Sequence, residues 1–420
     1  MRNFGIHASQ TVRRPVPRGI ANSGPPLLSY GFRPFFLLAG VAACFDMIVW
    51  IGALSGYWDV GGPEGPVAWH AHEMLFGYAA AALCGFILTA VPNWTGRLPV
   101  SGVSLLGLVL LWLAGRLLLL VPATAGSTIG VVVDSLFLPT LALFVTREVV
   151  AGRNWQNLRV AAGITGLAAL NVGFHLAVAL GWDVTSWLRG AVALLVVLVA
   201  VIGDRIIPSF TRNYLAKRKI GRLPRPLGTT DHIAIVAALG AGMLWAIVPE
   251  GVPTAALCSM AALANAMRLA RWRGLHTTRE PLLFVLHIAY AFMPIGFAWA
   301  AAAALGVVSL ASALHVMTVG VIGLTTLAVM TRASRGHTGR VLAASWATTT
   351  AYVCLICAAI LRPFAEILPE FYHPILATSG VAWIAAFAIF LAEHGPMLVT
   401  RSRSAQRSGA VGPAARRVAP

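Results

Sequence analysis

The chain of 420 residues is 58% hydrophobic and only 11% charged, with a mean hydropathy of +0.79. Water-soluble globular proteins are about half apolar and about a quarter charged, so this composition excludes a soluble globule. The formal net charge of +17 would suggest nucleic-acid binding in a soluble chain. In a chain this apolar, the composition instead indicates an integral membrane protein.

Apolar stretches long enough to cross a bilayer recur along the whole sequence. A membrane-spanning helix needs roughly 20 mostly apolar residues. The predicted spans, numbered in chain order, cover 31–55, 70–92, 102–121, 127–146, 159–181, 187–207, 231–249, 254–271, 281–305, 309–331, 342–361 and 374–393. The predicted fold class is therefore all-α, a polytopic membrane protein with about twelve transmembrane helices.

The basic residues predict an orientation. If the N-terminus is cytoplasmic, only Arg116, Arg189 and Arg362 of the 31 Lys and Arg fall on the opposite side. Cytoplasmic loops of membrane proteins carry an excess of Lys and Arg, so both termini are expected in the cytoplasm. "Inner" and "outer" are used below in this predicted sense. Topology and contact with the lipid bilayer explain the charge, and no nucleic-acid partner is expected.

The sequence predicts one membrane domain over residues 29–398, between disordered basic tails at 1–28 and 399–420. The longest internal loop is expected near 208–230, where it divides the spans into six and six, a layout common in secondary transporters. The basic segments "DRIIPSFTRNYL" and "TRASRGHTGR" are expected to be inner-edge loops. The two halves show no clear sequence match, which favours a single domain.

Histidines within the spans can be assigned a depth, because a helix rises 1.5 Å per residue. His72, His175 and His315 fall in the outer half within about 10 Å of depth, and His287 falls in the inner half. A helix cap or a bond between helices explains any one of them. Imidazole also ligates metals and haem iron, and ionisable groups inside membranes are usually functional. Taken together, the outer histidines predict a cofactor site.

The stretch "WHAHEMLFGY" places two of these histidines at the outer end of span 2. Residues two apart on a helix project about 200° apart, so His70 and His72 are expected to face different neighbours. His70 shares a helical face with Glu73 and Met74, which favours copper or an outer-shell role. His72 shares a face with Phe76, which suits a flat apolar macrocycle.

Other polar residues in the spans each allow two interpretations. Arg116 and the other two outer arginines either grip haem propionates or extend their charge to the interface. Cys354 and Cys357 either hold Cu(I) or are small buried hydrophobes, and the second interpretation is favoured. Asp46 and Asp134 are candidates for a proton path or for buried pairing.

Five segments resemble the NnrS family, in order from span 1 to span 10: "YGFRPFFLLAG", "WHAHEMLFGYAAAALCGFILTAVPNWTG", "RIIPSFTRNYL", "LHIAYAFMPIG" and "ALHVMTVGVIGLTTLAVMTRASRGHTGR". The resemblance implies a multi-pass protein of the bacterial inner membrane that contains non-covalent haem b and copper. It also implies a role in nitric oxide metabolism, denitrification and tolerance of nitrosative stress. The motif residues carried over are His70, His72, Glu73, His287, His315, Arg332 and His337.

Residues and resemblance together predict two overlapping sets of site residues. The cofactor-binding candidates are His70, His72, His175, His287, His315 and Arg116. The metal candidates are His70, His72, Glu73, His175 and His315. The favoured function is an oxidoreductase acting on nitric oxide at a haem and copper site in the outer half of the membrane, supplied with electrons by a membrane donor such as quinol. The alternative is a transporter or sensor for which haem or copper is cargo or signal detector.

Overall fold

The computed structural model describes residues 24–401. In this part of the chain every regular element is helical, and twelve helices are long and apolar enough to cross a membrane. The spans are Phe32–Leu54, Gly62–Thr95, Gly102–Leu120, Thr128–Ala151, Trp155–Leu180, Thr185–Lys217, Thr229–Ile247, Val252–Arg271, Pro281–Ala304, Leu310–His337, Trp346–Phe364 and Pro369–Val399. The predicted class is confirmed: the chain is an all-α, multi-pass membrane protein.

The two predicted tails lie almost wholly outside the described residues. The expectations for 1–23 and 402–420 concern residues that the structure does not describe. Within the predicted N-terminal tail, Pro26–Ser29 forms a single 3-10 turn that leads into span 1.

Successive spans pack against one another along the chain, and span 1 also packs against span 12. Arg33 on span 1 donates hydrogen bonds to the carbonyl oxygens of Leu398 and Thr400, each at 2.7 Å. The last carbonyls of a helix have no partner within the helix, so this guanidinium satisfies the end of span 12. The indole of Trp383 on span 12 donates to the carbonyl of Ala43 at 2.8 Å. The first and last spans are thereby joined into one packed body.

Span 2 lies at the centre of the helix bundle. In its most apolar stretch 83% of the residues are buried, against 67% or less in every other span of the described chain. It packs against spans 1, 4, 6 and 10. The alanines and glycines of "AAAALCG" allow these close approaches, as small residues do at helix contacts in membranes. His70 and His72, near the outer end of span 2, therefore lie among other helices.

Two spans depart from α-helical geometry. Span 2 is α-helical to His72, π-helical over Glu73–Ala79 and α-helical again from Ala80. Span 10 is α-helical to His315 and π-helical over Val316–Gly323. Segments of π-helix are rare and are frequently found at functional sites. Both begin directly after a candidate ligand histidine, a feature that the hydrophobic pattern did not predict.

The structure corrects the predicted inner-edge loops. Span 6 continues as helix to Lys217, and span 10 continues to His337, so both basic segments are largely helical. The connection between spans 6 and 7 covers 218–228, and the prediction of a loop from 208 was wrong. Basic side chains can extend their charge into water from a helix that continues past the apolar core, so a run of them does not end the helix. Arg218, stacked 4.9 Å over the ring of Tyr214, shows such packing.

A buried ion-pair network joins the inner halves of spans 6 to 9. Arg268 on span 8 is fully buried, and its guanidinium lies 2.5 Å from Asp204 on span 6 and 3.4 Å from Asp231 on span 7. It also donates to the hydroxyl of Tyr290 on span 9 at 2.8 Å. A buried charge is tolerated only when it is paired and hydrogen-bonded. One side chain thus ties four spans together.

We expect Arg268→Ala to destabilise the protein by about 3–5 kcal/mol, because it leaves two buried carboxylates without their cation. Arg271→Ala is the matched control, since that arginine lies on the same helix, is 28% exposed and is 3.9 Å from Asp231. Thermal unfolding of the detergent-purified chain measures both. Equal losses in the two variants would contradict a network centred on Arg268.

Candidate metal centre

A cluster of buried polar side chains lies where spans 2, 3, 4 and 5 meet. We call it the outer cluster, and its members are His72, Glu73, Arg116, Asp134, Asn171 and His175. The side chain of Arg116 is 12% exposed, and the other five residues are at most 3% exposed. So many polar groups at one place inside an apolar bundle need mutual compensation.

Asp134 is the centre of the outer cluster. Its Oδ2 lies 2.8 Å from His175 Nε2, 2.9 Å from Asn171 Nδ2 and 3.3 Å from His72 Nε2. Its other oxygen pairs with Arg116. A buried carboxylate costs several kcal/mol unless it is paired and hydrogen-bonded, so these four contacts explain how span 4 can carry it.

His72 is oriented from both sides of its ring. Its Nδ1 lies 3.1 Å from Glu73 Oε1, and its Nε2 lies 2.9 Å from Asn171 Oδ1. Arg116 donates to the same Glu73 oxygen at 2.8 Å and so holds the carboxylate in place. Both ring nitrogens therefore donate to oxygen atoms, and Nε2 would give up its proton to bind a metal while Nδ1 stays on the carboxylate, as metal-ligating histidines are usually held.

The outer cluster contains a set of atoms that fits a metal ion. His72, Asp134 and His175 each offer one ligand atom within 4.8 Å of the others, and no other group of three such residues in the described chain does so. Ligand atoms about 2.1 Å from a tetrahedral metal lie about 3.4 Å apart. The contacts from Asp134 Oδ2 to the two histidines, at 2.8 and 3.3 Å, therefore need only a small opening. Imidazole with carboxylate suits Cu(II), Zn(II) or Fe(II).

Two glycines let span 3 reach the cluster. A Cβ at Gly77, within the π-helical segment, would lie 3.0 Å from Arg116 Nη1, closer than nearly all real contacts. The carbonyl of Gly77 accepts a hydrogen bond from Trp112 at 3.2 Å. A Cβ at Gly115 would lie 3.1 Å from Asp134 Cα. The bare backbone at both positions brings Arg116 between its two carboxylate partners.

Aromatic rings enclose His72. The ring centroids of Phe76, Phe174 and His175 lie 5.0, 4.9 and 5.0 Å from that of His72. Both phenylalanines are essentially fully buried. Exclusion of water lowers the local dielectric constant and strengthens the charge interactions of the cluster.

His70 faces a different group of residues. Its ring stacks on Trp50 at 4.5 Å with an interplanar angle of 18°. His315 and Arg362 lie near His70. His315 Nδ1 lies 2.7 Å from the carbonyl oxygen of Ala311, to which it donates, so its Nε2 is left for another partner. The structure thus separates His70 from His72, as the H-x-H spacing predicts.

The grouping differs from the prediction in two respects. Similar depth suggested that His315 lies with His72 and His175, but in the structure it lies near His70. Glu73 was expected to share a helical face with His70, where copper or an outer-shell role was favoured. Its carboxylate instead contacts His72 and Arg116. The guanidinium attracts the carboxylate, and the π-helical turn that begins at Glu73 changes the angular spacing of its side chains.

His287 lies apart from both groups. Its Nε2 is 2.9 Å from the hydroxyl oxygen of Thr211 on span 6. Tyr290, one helical turn further on, does not hydrogen-bond to it: the hydroxyl of Tyr290 donates to Asn265 at 2.7 Å and accepts from Arg268.

The inner motif residues Arg332 and His337 also lie apart. The guanidinium of Arg332 stacks 4.2 Å over the ring of Phe210. Burial raises the pKa of Glu280, at the start of span 9, and the charge of Arg332 opposes that shift. His337 stacks on Tyr30 with ring centroids 5.9 Å apart. These contacts hold the inner ends of the spans together.

The remaining candidates make ordinary contacts. Arg189 donates to the carbonyl of Ala246 at 3.2 Å, and Arg362 pairs with Glu366 at 2.8 Å. Cys354 is partly buried and Cys357 is exposed, so the prediction that both are buried was wrong. Their helix lies at the periphery of the bundle, where one face meets lipid.

Sequence reasoning missed Asn171 and Glu64. Asn171 lies one helical turn before His175, and this i, i+4 pair of polar residues in an apolar span was the available signal. Asp46 and Glu64 lie near Glu73 and Arg116. Each of these two carboxyl groups has one buried oxygen without a hydrogen-bond partner among residues 24–401. Both are therefore candidates to hold a proton beside the outer cluster.

We expect Asp134→Asn to lower the free energy of unfolding by about 3 kcal/mol, because the amide cannot balance the charge of Arg116. Asp183→Asn is the matched control, since that carboxylate is exposed and caps the start of span 6. Thermal unfolding in detergent compares the two variants. An unchanged midpoint for Asp134→Asn would show that the cluster is not held by this carboxylate.

No curated protein matches this sequence. The family model described as NnrS protein matches residues 26–402. That match covers nearly the whole chain, including every span and both histidine groups. The chain therefore belongs to the NnrS family.

Proposed function

We propose that this protein binds copper and haem b in the bacterial inner membrane and acts as an oxidoreductase on nitric oxide, in nitric oxide metabolism and protection from nitrosative stress. The observation that carries the proposal is the outer cluster, in which two histidines and an aspartate converge inside the membrane domain. Family membership suggests which cofactors to expect, and the cluster supplies ligands for one of them.

Copper would be held by His72, Asp134 and His175. Glu73 keeps the Nδ1 proton of His72 in place, so that Nε2 points to the metal. Arg116 pairs with both carboxylates and offsets part of their charge. The set contains imidazole and carboxylate and no thiolate, which suits Cu(II) better than Cu(I).

Haem would be held by His70 and His315. His70 Nδ1 is buried and makes no hydrogen bond to any described residue, so this ring is not committed to a protein partner there. His315 keeps Nε2 for a partner. Arg362, which lies near both histidines, suits a propionate carboxylate. The ligand types therefore fit a haem with axial histidines.

When bound, haem iron and copper supply binding of nitric oxide and exchange of electrons with it. The chain contributes the surroundings. Phe76 and Phe174 keep water from His72, and the carboxyl groups of Asp46 and Glu64 are placed to hold protons beside the cluster. Electrons would come from a membrane donor such as quinol.

We expect the purified protein to retain copper, and His72→Ala and His175→Ala to lose it. Glu73→Gln should weaken copper binding about 10–100-fold, because it loosens the orientation of His72. His373→Ala is the control, since that histidine is exposed. Metal analysis and electron paramagnetic resonance measure the outcome. Full copper content in both histidine variants would overturn the assignment.

We expect a haem absorption spectrum that changes in His70→Ala and His315→Ala while the copper signal stays unchanged. His232→Ala is the control, because that histidine is exposed and its Nδ1 lies 3.0 Å from the backbone carbonyl oxygen of Gly228, at the start of its own helix. Oxidised and reduced Soret and α bands give the measurement. Absence of haem in well-folded protein from haem-replete cells would refute the haem assignment.

Three measurements on the same purified protein distinguish an enzyme from a sensor or a transporter. Anaerobic consumption of nitric oxide with an added reductant supports catalysis. A spectral response without consumption supports a sensor. Copper or haem that moves across the bilayer of proteoliposomes supports a transporter. The ligand atoms of the outer cluster are almost wholly buried, which favours a resident cofactor over cargo.

A further inference from the structure

An apolar cleft with a volume of about 90 Å³ lies between spans 2, 6, 9 and 10. Carbon atoms form its walls apart from the hydroxyl groups of Thr325 and Thr326, and none of the described residues that line it is charged. The hydroxyl of Thr326 already bonds that of Tyr78. Such a space admits small uncharged molecules and disfavours water and ions.

The cleft reaches span 2 at Ala79, seven residues after His72. Phe76 lies between these two residues in the chain, within the π-helical segment Glu73–Ala79. The ring of Phe76 packs on His72 at 5.0 Å, and Ala79 lines the cleft. Seven residues of helix correspond to about 10 Å. Phe76 thus contacts His72 and lies three residues before Ala79, which lines the cleft.

The other side of the cleft opens toward the surface of the bundle. Its rim residues Leu83, Phe86, Val199, Ile202 and Val329 are only partly buried. Partly exposed apolar side chains at the level of the spans face the hydrocarbon of the bilayer. The cleft is therefore open toward the bilayer core, and its wall on span 2 begins three residues after Phe76.

We propose that this cleft is the route by which a small, uncharged diatomic gas passes from the bilayer to the outer cluster, with Phe76 as the gate. The identity of that gas as nitric oxide rests on the function proposed above. An uncharged diatomic molecule loses no strong hydration when it enters a carbon-lined space, whereas an ion or a water molecule does. Rotation of one phenyl ring is sufficient to pass a molecule of this size, and an acyl or isoprenoid chain would stop at that ring.

Gly203 allows the cleft to be filled without touching the outer cluster. It lines the cleft, and a Cβ there would meet nothing closer than 3.5 Å, the Cδ1 of Ile207. Gly203→Leu should therefore fill the space, and Gly203→Ala should fill it in part. Gly240→Leu is the matched control, because a Cβ on that span 7 glycine would meet nothing within 4 Å.

Xenon binding tests the cleft independently of any metal, because apolar cavities take up xenon. In crystals of the full chain under xenon pressure, we expect xenon in the cleft of the wild type and of Gly240→Leu. We expect it to be reduced in Gly203→Ala and absent from Gly203→Leu. No xenon in the wild-type cleft, or an ordered lipid or isoprenoid chain that xenon does not displace, would overturn the proposal.

Stopped-flow absorbance of the cofactor-loaded protein tests delivery. We expect the association rate constant for nitric oxide to fall several-fold in Gly203→Leu, to fall less in Gly203→Ala and to stay at the wild-type value in Gly240→Leu. Equal rates in all four proteins would overturn the route. Xenon uptake by a protein that retains neither copper nor haem would instead refute only the function proposed above.

Discussion

The ion pairs of Arg116 with Glu73 and Asp134 are the interaction on which the rest of the outer cluster depends. An uncompensated carboxylate inside the bundle would cost several kcal/mol, and two close together would cost more. A guanidinium stays charged and offers five donors in a plane, so one side chain can satisfy both carboxylates. Because both are paired and hydrogen-bonded in this way, the carboxylates can orient His72 and His175.

Local backbone geometry brings these side chains together. Neighbours on an α-helix point about 100° apart, yet His72 Nδ1 lies 3.1 Å from Glu73 Oε1. The contact occurs where the α-helix gives way to the π-helical segment. Such a segment is less favourable than α-helix, and it persists because span 3 packs on the bare backbone of Gly77. Span 10 repeats the pattern after His315, where Phe292 packs against Gly320.

The number and order of the spans could be predicted, because the thickness of a bilayer dictates the length of each apolar stretch. The ends of spans 6 and 10 could not, because a helix with basic side chains can continue into water. Helical angle predicted that His70 and His72 face different groups. Depth alone misplaced His315, since it says nothing about which spans are neighbours. Asn171 and the central role of Asp134 emerge only from the packing of span 4 against span 5.

The outer cluster lies between two different surroundings. Near it, Asp46 and Glu64 add carboxyl groups that each leave one buried oxygen without a partner among residues 24–401. Such groups can hold protons inside the bundle. Below it, the carbon-lined cleft excludes charge. Under the proposed function this arrangement separates the reactants, because protons can arrive only along the polar side, whereas an uncharged gas is admitted through the apolar one. The two paths meet at His72, the residue that contacts both Glu73 and Phe76.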